Sequence, residues 1–294
     1  MLTLTSLQEV LPRYKALIVD LWGVIHDGER LYPGVKEALM ELRAQEKQLI
    51  FLSNAPRRAV KSAGTLASLG IPESLYDHVI TSGESLYGYL SGTRHLGTRY
   101  YYIGPDKDLD ILEGLEHYQR SGLAPADFIL NVGFFFDFQP LEDLIGSLKT
   151  AVSLGKPMLC ANPDKVVVKQ TGQHIGCAGM IAEAYEQLGG KVVYFGKPYE
   201  RVYQVCLERF VDVKLPEILA IGDSLDTDIK GARQQGIDTL LITGGILKDA
   251  LHLKGTDSLN KDALNRVVQE SGIVPTYIIS SLAADRLASA SSIR

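Results

Sequence analysis

Short apolar runs recur along the chain at fairly even intervals. They fall near 15–19 (KALIV), 48–52 (QLIFL), 77–80 (DHVI), 99–103 (RYYYI), 127–132 (DFILNV), 157–160 (PMLC), 191–195 (KVVYF), 217–221 (EILAI), 238–242 (DTLLI) and 276–280 (TYIIS). Several are continuously apolar instead of alternating, the pattern of parallel strands covered on both faces. Between them the period changes to that of a helix. Val35, Leu39 and Leu42 mark 34–45, and Leu141, Ile145, Leu148 and Val152 mark 140–154, with Pro140 at its start and Gly155 at its stop. Ile181, Tyr185 and Leu188 mark 177–188, and Val202, Cys206 and Phe210 mark 198–210. This alternation predicts a doubly wound α/β protein. Residues 1–14 and 246–273 read as peripheral helices and loops, and composition marks no domain boundary.

Composition narrows the class. A chain of 294 residues, 46% apolar and 22% charged, can bury a large core and has the length of about two domains. Thirty basic residues against 35 acidic give a net charge of −5, which speaks against a nucleic-acid partner. No apolar run approaches the roughly 18 residues of a membrane span. The opening MLTLTSLQEVLPRYK lacks the basic and apolar regions of a signal peptide, so a cytoplasmic location is expected. Cys160, Cys177 and Cys206 fit neither a zinc spacing nor a disulfide framework and read as core thiols.

Open α/β sheets carry their sites beyond the carboxyl ends of the strands. There the chain places Asp20 after ALIV, Ser53 and Asn54 after QLIFL, Gly196-Lys197-Pro198 after KVVYF, and Gly222-Asp223 with Asp228 after EILAI. Each has an ordinary structural explanation. An Asp at a strand end caps a turn, Ser53-Asn54 starts a helix, and Gly-Lys-Pro turns the chain without being a Walker loop. Three acids within GDSLDTD, however, repel one another unless a cation or base lies between them. Together the residues form a kit for phosphoryl chemistry. Asp20 can be a nucleophile or metal ligand, Asp223 adds charge for Mg²⁺, and Lys197 offsets charge on a transferring phosphoryl group. Ser53 and the backbone N–H groups of the 54–57 turn can bind its oxygens.

The order Asp20, Ser53, Lys197, Asp223/Asp228 resembles the haloacid dehalogenase (HAD) superfamily, and in detail its class IIA sugar-phosphatase and nitrophenyl-phosphatase group. The resemblance rests on GVIHDG, FLSNAPRR, ANPDKVVVKQTGQHIGCAGM, YFGKP and IGDSLDTDIKGA, from about residue 15 to 245. It implies a Rossmann-like core, residues 1–82 and 195–294, with a C2-type α/β cap inserted at 83–194. Asp20 would be the phosphorylated nucleophile, and Ser53, Asn54 and Lys197 would bind the phosphoryl group. Asp20, the Trp22 carbonyl and Asp223 would form the Mg²⁺ site, with Asp228 either a further ligand or the holder of a metal-bound water. Asn162 and Asp164, on a cap loop, would anchor that loop or the substrate.

One position departs from the pattern. Phosphatases of this kind carry a second Asp two residues after the nucleophile, where it protonates the leaving oxygen. Here that residue is Trp22, whose indole N–H has negligible acidity. Cation and phosphate binding should survive, while the proton needs another source, for which His26 and Asp27 are nearest in sequence. The reading is therefore a phosphatase of a small phosphorylated metabolite. The alternatives are a phosphate-ligand binding protein with weakened turnover and, since dehalogenases carry an aromatic at this place, a dehalogenase-like hydrolase. The strings TRYYYIG and GFFFDFQP read as aromatic core strands of the cap, with Asp137 as a substrate-facing residue. His174 reads equally as a substrate contact or a turn cap. The aromatic strands also leave a homodimer open.

Overall fold

Among the described residues, twenty-two strands and α-helices realise the alternation. The computed structural model describes residues 2–4, 6–92, 96–248, 251 and 260–283. In chain order they are β1 (Leu2–Thr3), β2 (Ala16–Val19), α1 (Val35–Ala44), β3 (Gln48–Ser53), α2 (Ala59–Ser68), β4 (His78–Thr81), α3 (Ser82–Gly92), β5 (Arg99–Ile103), β6 (Gln119–Arg120), β7 (Phe128–Asn131) and α4 (Glu142–Ser153). There follow β8 (Met158–Cys160), β9 (Val166–Val168), β10 (His174–Gly176), α5 (Ala178–Gln187), β11 (Val192–Tyr194), α6 (Glu200–Leu207), β12 (Ile218–Gly222), α7 (Lys230–Gln234), β13 (Asp238–Ile242), α8 (Lys261–Ser271) and β14 (Tyr277–Ile279).

The strands form two parallel sheets and a hairpin. A seven-stranded sheet runs β1-β14-β13-β12-β2-β3-β4, and a five-stranded sheet runs β11-β8-β7-β5-β6. β9 and β10 pair antiparallel as a separate ribbon. The seven-stranded sheet is the Rossmann-like core and the five-stranded sheet belongs to the cap. Alternation along β2 shows why the runs had to be apolar throughout. Leu17 and Val19 enter one buried cluster with α1 residues Leu39 and Leu42, while Ala16 and Ile18 enter another with Val202 and Cys206 of α6. Successive side chains of a strand point to opposite faces, so burial on both sides leaves no polar position. The same register aligns the strand ends, because Val19 pairs with both Phe51 and Ile221. Asp20, Ser53 and Asp223 therefore emerge at one edge.

All ten strands expected from the pattern are present. The N-terminal stretch differs from expectation, since Leu2–Thr3 adds a parallel edge strand to β14. Of the 246–273 segment, α8 forms a helix and residues 249–250 and 252–259 lie outside the described residues. GFFFDFQP is also corrected. Phe134 is buried, but Phe135, Phe136 and Phe138 are exposed in a loop closed by the Phe135 N–H donating to Gln139 Oε1 at 2.9 Å. RYYYI is a core strand, with Tyr100 and Tyr102 buried. All three cysteines are free and buried. No helix among the described residues is long and apolar enough to cross a membrane.

Candidate active site

Asp20 leaves β2 directly into the loop 21–31. Its N–H still donates to the Ile221 carbonyl at 2.8 Å, so the ladder carries its backbone one residue past the strand. Asp223 is the first residue after β12, and Asp228 lies one turn on in the π-helical segment Leu225–Ile229. One ligand oxygen from each of Asp20, Asp223 and Asp228 lies within 4.8 Å of the others, and all three residues are buried. Gly23, at φ +86°, makes this approach possible, because a Cβ there would overlap the Asp223 carboxylate. The Ile246 N–H donates to Asp223 Oδ2 at 2.7 Å and the Ser224 N–H to Asp228 Oδ2 at 3.1 Å.

Lys197 joins them. Its Nζ donates to Asp20 Oδ1 at 2.5 Å, to Asp228 Oδ1 at 2.7 Å and to the Leu52 carbonyl at 3.0 Å. Burial opposes the charge on Lys197, but Asp20, Asp228 and Asp164 outweigh it and hold its pKa well above the ordinary range. Burial likewise lifts Asp20 far above the usual carboxylate range, with Lys197 opposing. Burial and then Asp228 lift Asp223 to about 7. Three buried acids around one ammonium raise one another's pKa, and a bound cation would let all of them ionise. An all-oxygen donor set of this kind suits a hard divalent ion.

Ser53 ends β3 and is buried, and its Oγ accepts from the Ala55 N–H at 3.2 Å, which leaves the hydroxyl proton available. Asn54 departs from its expected role. Its Nδ2 donates to Asp164 Oδ1 at 2.8 Å and to the Lys197 carbonyl at 3.0 Å. Its Oδ1 accepts from the Lys197 N–H at 2.7 Å and the Ser82 hydroxyl at 3.2 Å. Every donor and lone pair of the amide is engaged, so the side chain positions the Lys197 turn, the start of α3 and the 162–164 loop, and has nothing left for a phosphate. Asn162 Oδ1 accepts from the Asp164 N–H at 2.9 Å, which makes it an anchor of its own loop.

Trp22 reaches across to the cap. Its Nε1 donates to the Val168 carbonyl of β9 at 2.9 Å. The indole lies over Gly28, at φ +90°, where a Cβ would collide with the ring, and stands edge-on to His26 at 6.2 Å. Three more contacts fasten the turn after β9 to the same core loop. Lys169 Nζ meets Glu29 Oε1 at 2.6 Å, the Gln170 N–H donates to Asp27 Oδ2 at 3.2 Å, and Gln170 Nε2 donates to the Arg30 carbonyl at 3.3 Å.

Neither expected proton source is free to serve. His26 Nδ1 accepts from the Gly28 N–H at 2.9 Å, and burial pushes its pKa down to about 4. It is a neutral imidazole near pH 7. Asp27 is buried yet held below the ordinary carboxylate range, because the N–H groups of Arg30, Glu29 and Gln170 donate to it and outweigh burial. Its work is to hold the loop. Asp137 and His174 are exposed and stand outside the lining of the main cavity.

That cavity has a volume of about 580 Å³ and lies between core and cap, within the range of small-molecule sites. Asp20, Trp22, Ser53, Asn54, Lys197, Asp223 and Asp228 line it from the core. Asn162, Asp164 and residues 165–168 line it from the cap side. Sequence reasoning did not single out Tyr194 and Tyr199, which also border it. Their rings stack 5.1 Å apart across the 195–198 turn. Only their spacing around YFGKPY hinted at this.

Comparison with known proteins agrees with this geometry. A haloacid dehalogenase-like hydrolase model matches residues 17–117 and a HAD-hydrolase-like model matches 194–284. Chronophin of Mus musculus is 27% identical over 288 residues, 95% of this chain and 94% of its own. The acid sugar phosphatase of Staphylococcus saprophyticus is 24% identical over 261 residues, 87% of this chain and 98% of its own. Among solved structures, a haloacid dehalogenase-like hydrolase from Brucella suis 1330 superposes with a TM-score of 0.80 at 30% identity, covering 94% of this chain and 98% of that one. The two matched segments, the Rossmann-like core under a cap and this full-length likeness make the chain a member of the haloacid dehalogenase-like hydrolases.

Proposed function

We propose that the protein is a Mg²⁺-dependent phosphatase of a small phosphorylated metabolite, a sugar phosphate or similar compound, acting through an aspartyl-phosphate on Asp20. The observation that carries this reading is the meeting of Asp20, Asp223, Asp228 and Lys197 at the core end of a cavity sized for such a substrate. In this reading residues 1–82 and 195–294 are the core and 83–194 the cap. Asp20, Asp223, Asp228 and the Trp22 carbonyl would hold Mg²⁺, which when bound supplies charge stabilisation for the transferring phosphoryl oxygens.

The chain's own residues do the rest. Asp20 attacks phosphorus and forms the new O–P bond as the bond to the leaving oxygen breaks. Lys197 orients Asp20 and neutralises developing charge, and the Ser53 hydroxyl and the N–H groups of the 54–57 turn bind phosphoryl oxygens. The cap keeps bulk water from the Asp20 acyl phosphate until the leaving alcohol departs. The acid sugar phosphatase among the relatives supports the substrate class by its name.

The test is phosphate release from a panel of phosphorylated metabolites, with and without Mg²⁺. Release by the wild type that needs the cation, and its loss in Asp20→Asn, is the expected result. Equal release by Asp20→Asn overturns the reading. A second reading, a phosphate-ligand binder, is favoured by one observation: the Trp22 indole N–H is committed to Val168 and offers no proton. It predicts tight ligand binding without hydrolysis, and turnover above about 1 s⁻¹ removes it.

A further inference from the structure

With Trp22 unable to give a proton, the leaving oxygen needs an acid from elsewhere in the cavity. In-line displacement puts the leaving group opposite Asp20, which is toward the cap. Among the carboxylic acids and the histidine that line the cavity, most are already engaged. Asp20, Asp223, Asp228 and Lys197 are joined to one another on the core side. His26 is a neutral imidazole whose Nδ1 already accepts a bond. Glu183 is paired with Lys165 at 2.7 Å, and Glu186 accepts from the Tyr194 hydroxyl at 2.7 Å. Asp226 is exposed.

Asp164 remains. It sits on the cap loop, lines the cavity and faces the charges of Lys197, Asp228 and Asp223. Asn54 Nδ2 holds its Oδ1, the Asn162 side chain fixes its backbone N–H, and among the described residues its Oδ2 meets no donor. One carboxyl oxygen is thus oriented, and the other meets no protein donor among the described residues.

We infer that Asp164 is the proton donor to the leaving oxygen, in place of the acid that Trp22 displaces. The inference rests on the phosphatase reading above. Burial supports it by pushing Asp164 up to about 6, against the pull of Lys197 and the Asn54 amide. A carboxyl near that value keeps a usable protonated fraction at neutral pH. In the step itself, Asp20 forms its bond to phosphorus while the leaving P–O bond breaks. The electron pair of that bond takes the proton from Asp164 Oδ2, which gives a neutral alcohol and an Asp164 carboxylate. Water then attacks the phosphoryl group on Asp20 and releases phosphate, and the proton lost by water returns to Asp164.

The test uses Asp164→Asn, which keeps an oxygen for Asn54 to donate to but has no acidic proton. kcat/KM is measured on 2,4-dinitrophenyl phosphate, whose leaving group departs unprotonated, and on phenyl phosphate and glycerol 3-phosphate, whose leaving groups need a proton. kcat/KM reads the steps through phosphorylation of Asp20 and is blind to later hydrolysis. The expected result is a loss about 10²–10⁴-fold larger on the poor leaving groups than on dinitrophenyl phosphate, with part of it restored in Asp164→Glu. Equal losses on all three substrates assign Asp164 a structural role and overturn the inference alone, as does an unchanged rate on phenyl phosphate. A wild type that releases nothing from dinitrophenyl phosphate, or an Asp20→Asn variant as fast as the wild type, overturns the phosphatase reading and this inference with it.

Discussion

The indole of Trp22 is held by one hydrogen bond, by contact with Gly28 and by an edge-on contact with His26. Trp22→Phe keeps an aromatic ring and deletes the bond to the Val168 carbonyl, so it should lower stability by about 1 kcal/mol, read as a small drop in unfolding midpoint. Trp22→Asp should release phosphate no faster than the wild type, because it opens a void over Gly28 and breaks the bond to the Val168 carbonyl of β9. His26 gives a pH signature. Its folded pKa of about 4 lies below the ordinary value of 6.5, so the unfolded chain takes up the proton first as pH falls. Stability is complete above about pH 6.5 and declines toward pH 4, by about 3 kcal/mol in all. His26→Asn keeps an acceptor for the Gly28 N–H and should flatten this acid limb in denaturant titrations between pH 7.5 and 5. Asp20, Asp223 and Lys197 were legible in the sequence because each follows its strand within three residues, and Asp228 because it adds an acid one turn beyond Asp223. The role of Asn54 was not, since its partners Ser82, Asp164 and Lys197 are brought together only by the fold.

At the scale of elements, the β9–β10 ribbon joins the two halves of the cleft. Asp27 orders the core loop beneath it, accepting from Glu29 and Arg30, and takes the Gln170 N–H of the ribbon. Asp27→Ala leaves three donors without an acceptor and should cost about 2 kcal/mol. Hydrogen exchange should then quicken in 166–176 and 26–31 while β2, β3 and β12 stay protected. The ten strands that were readable coincide with apolar runs, which burial on both faces of a sheet favours. β1, β6 and β10 were not, because each has two or three residues with at most one apolar side chain, and the VVV of β9 lies apart from both large sheets. The same limit explains GFFFDFQP, whose aromatics look like core but whose chain closes on Gln139 as a loop.

Across the whole molecule, core and cap share one βα rhythm, which is why the pattern alone marked no boundary. Only strand order separates the two sheets. Asn54 ties both crossings, at Ser82 and Lys197, to the end of β3. Asn54→Ala should therefore destabilise the protein by about 3 kcal/mol, with loss of Asp20-dependent turnover following from displacement of Lys197, checked by calorimetry beside kinetics. The link from Trp22 to Val168 has a historical consequence as well. No aspartate codon shares a base with the tryptophan codon at the same place, so no single-nucleotide change could put an acid at position 22. Each intermediate on the longer route would already have lost the bond to Val168. The ring that spans the cleft from position 22 thereby makes the fastening of the cap and the residue two places after Asp20 one and the same, so that a change in either is a change in both.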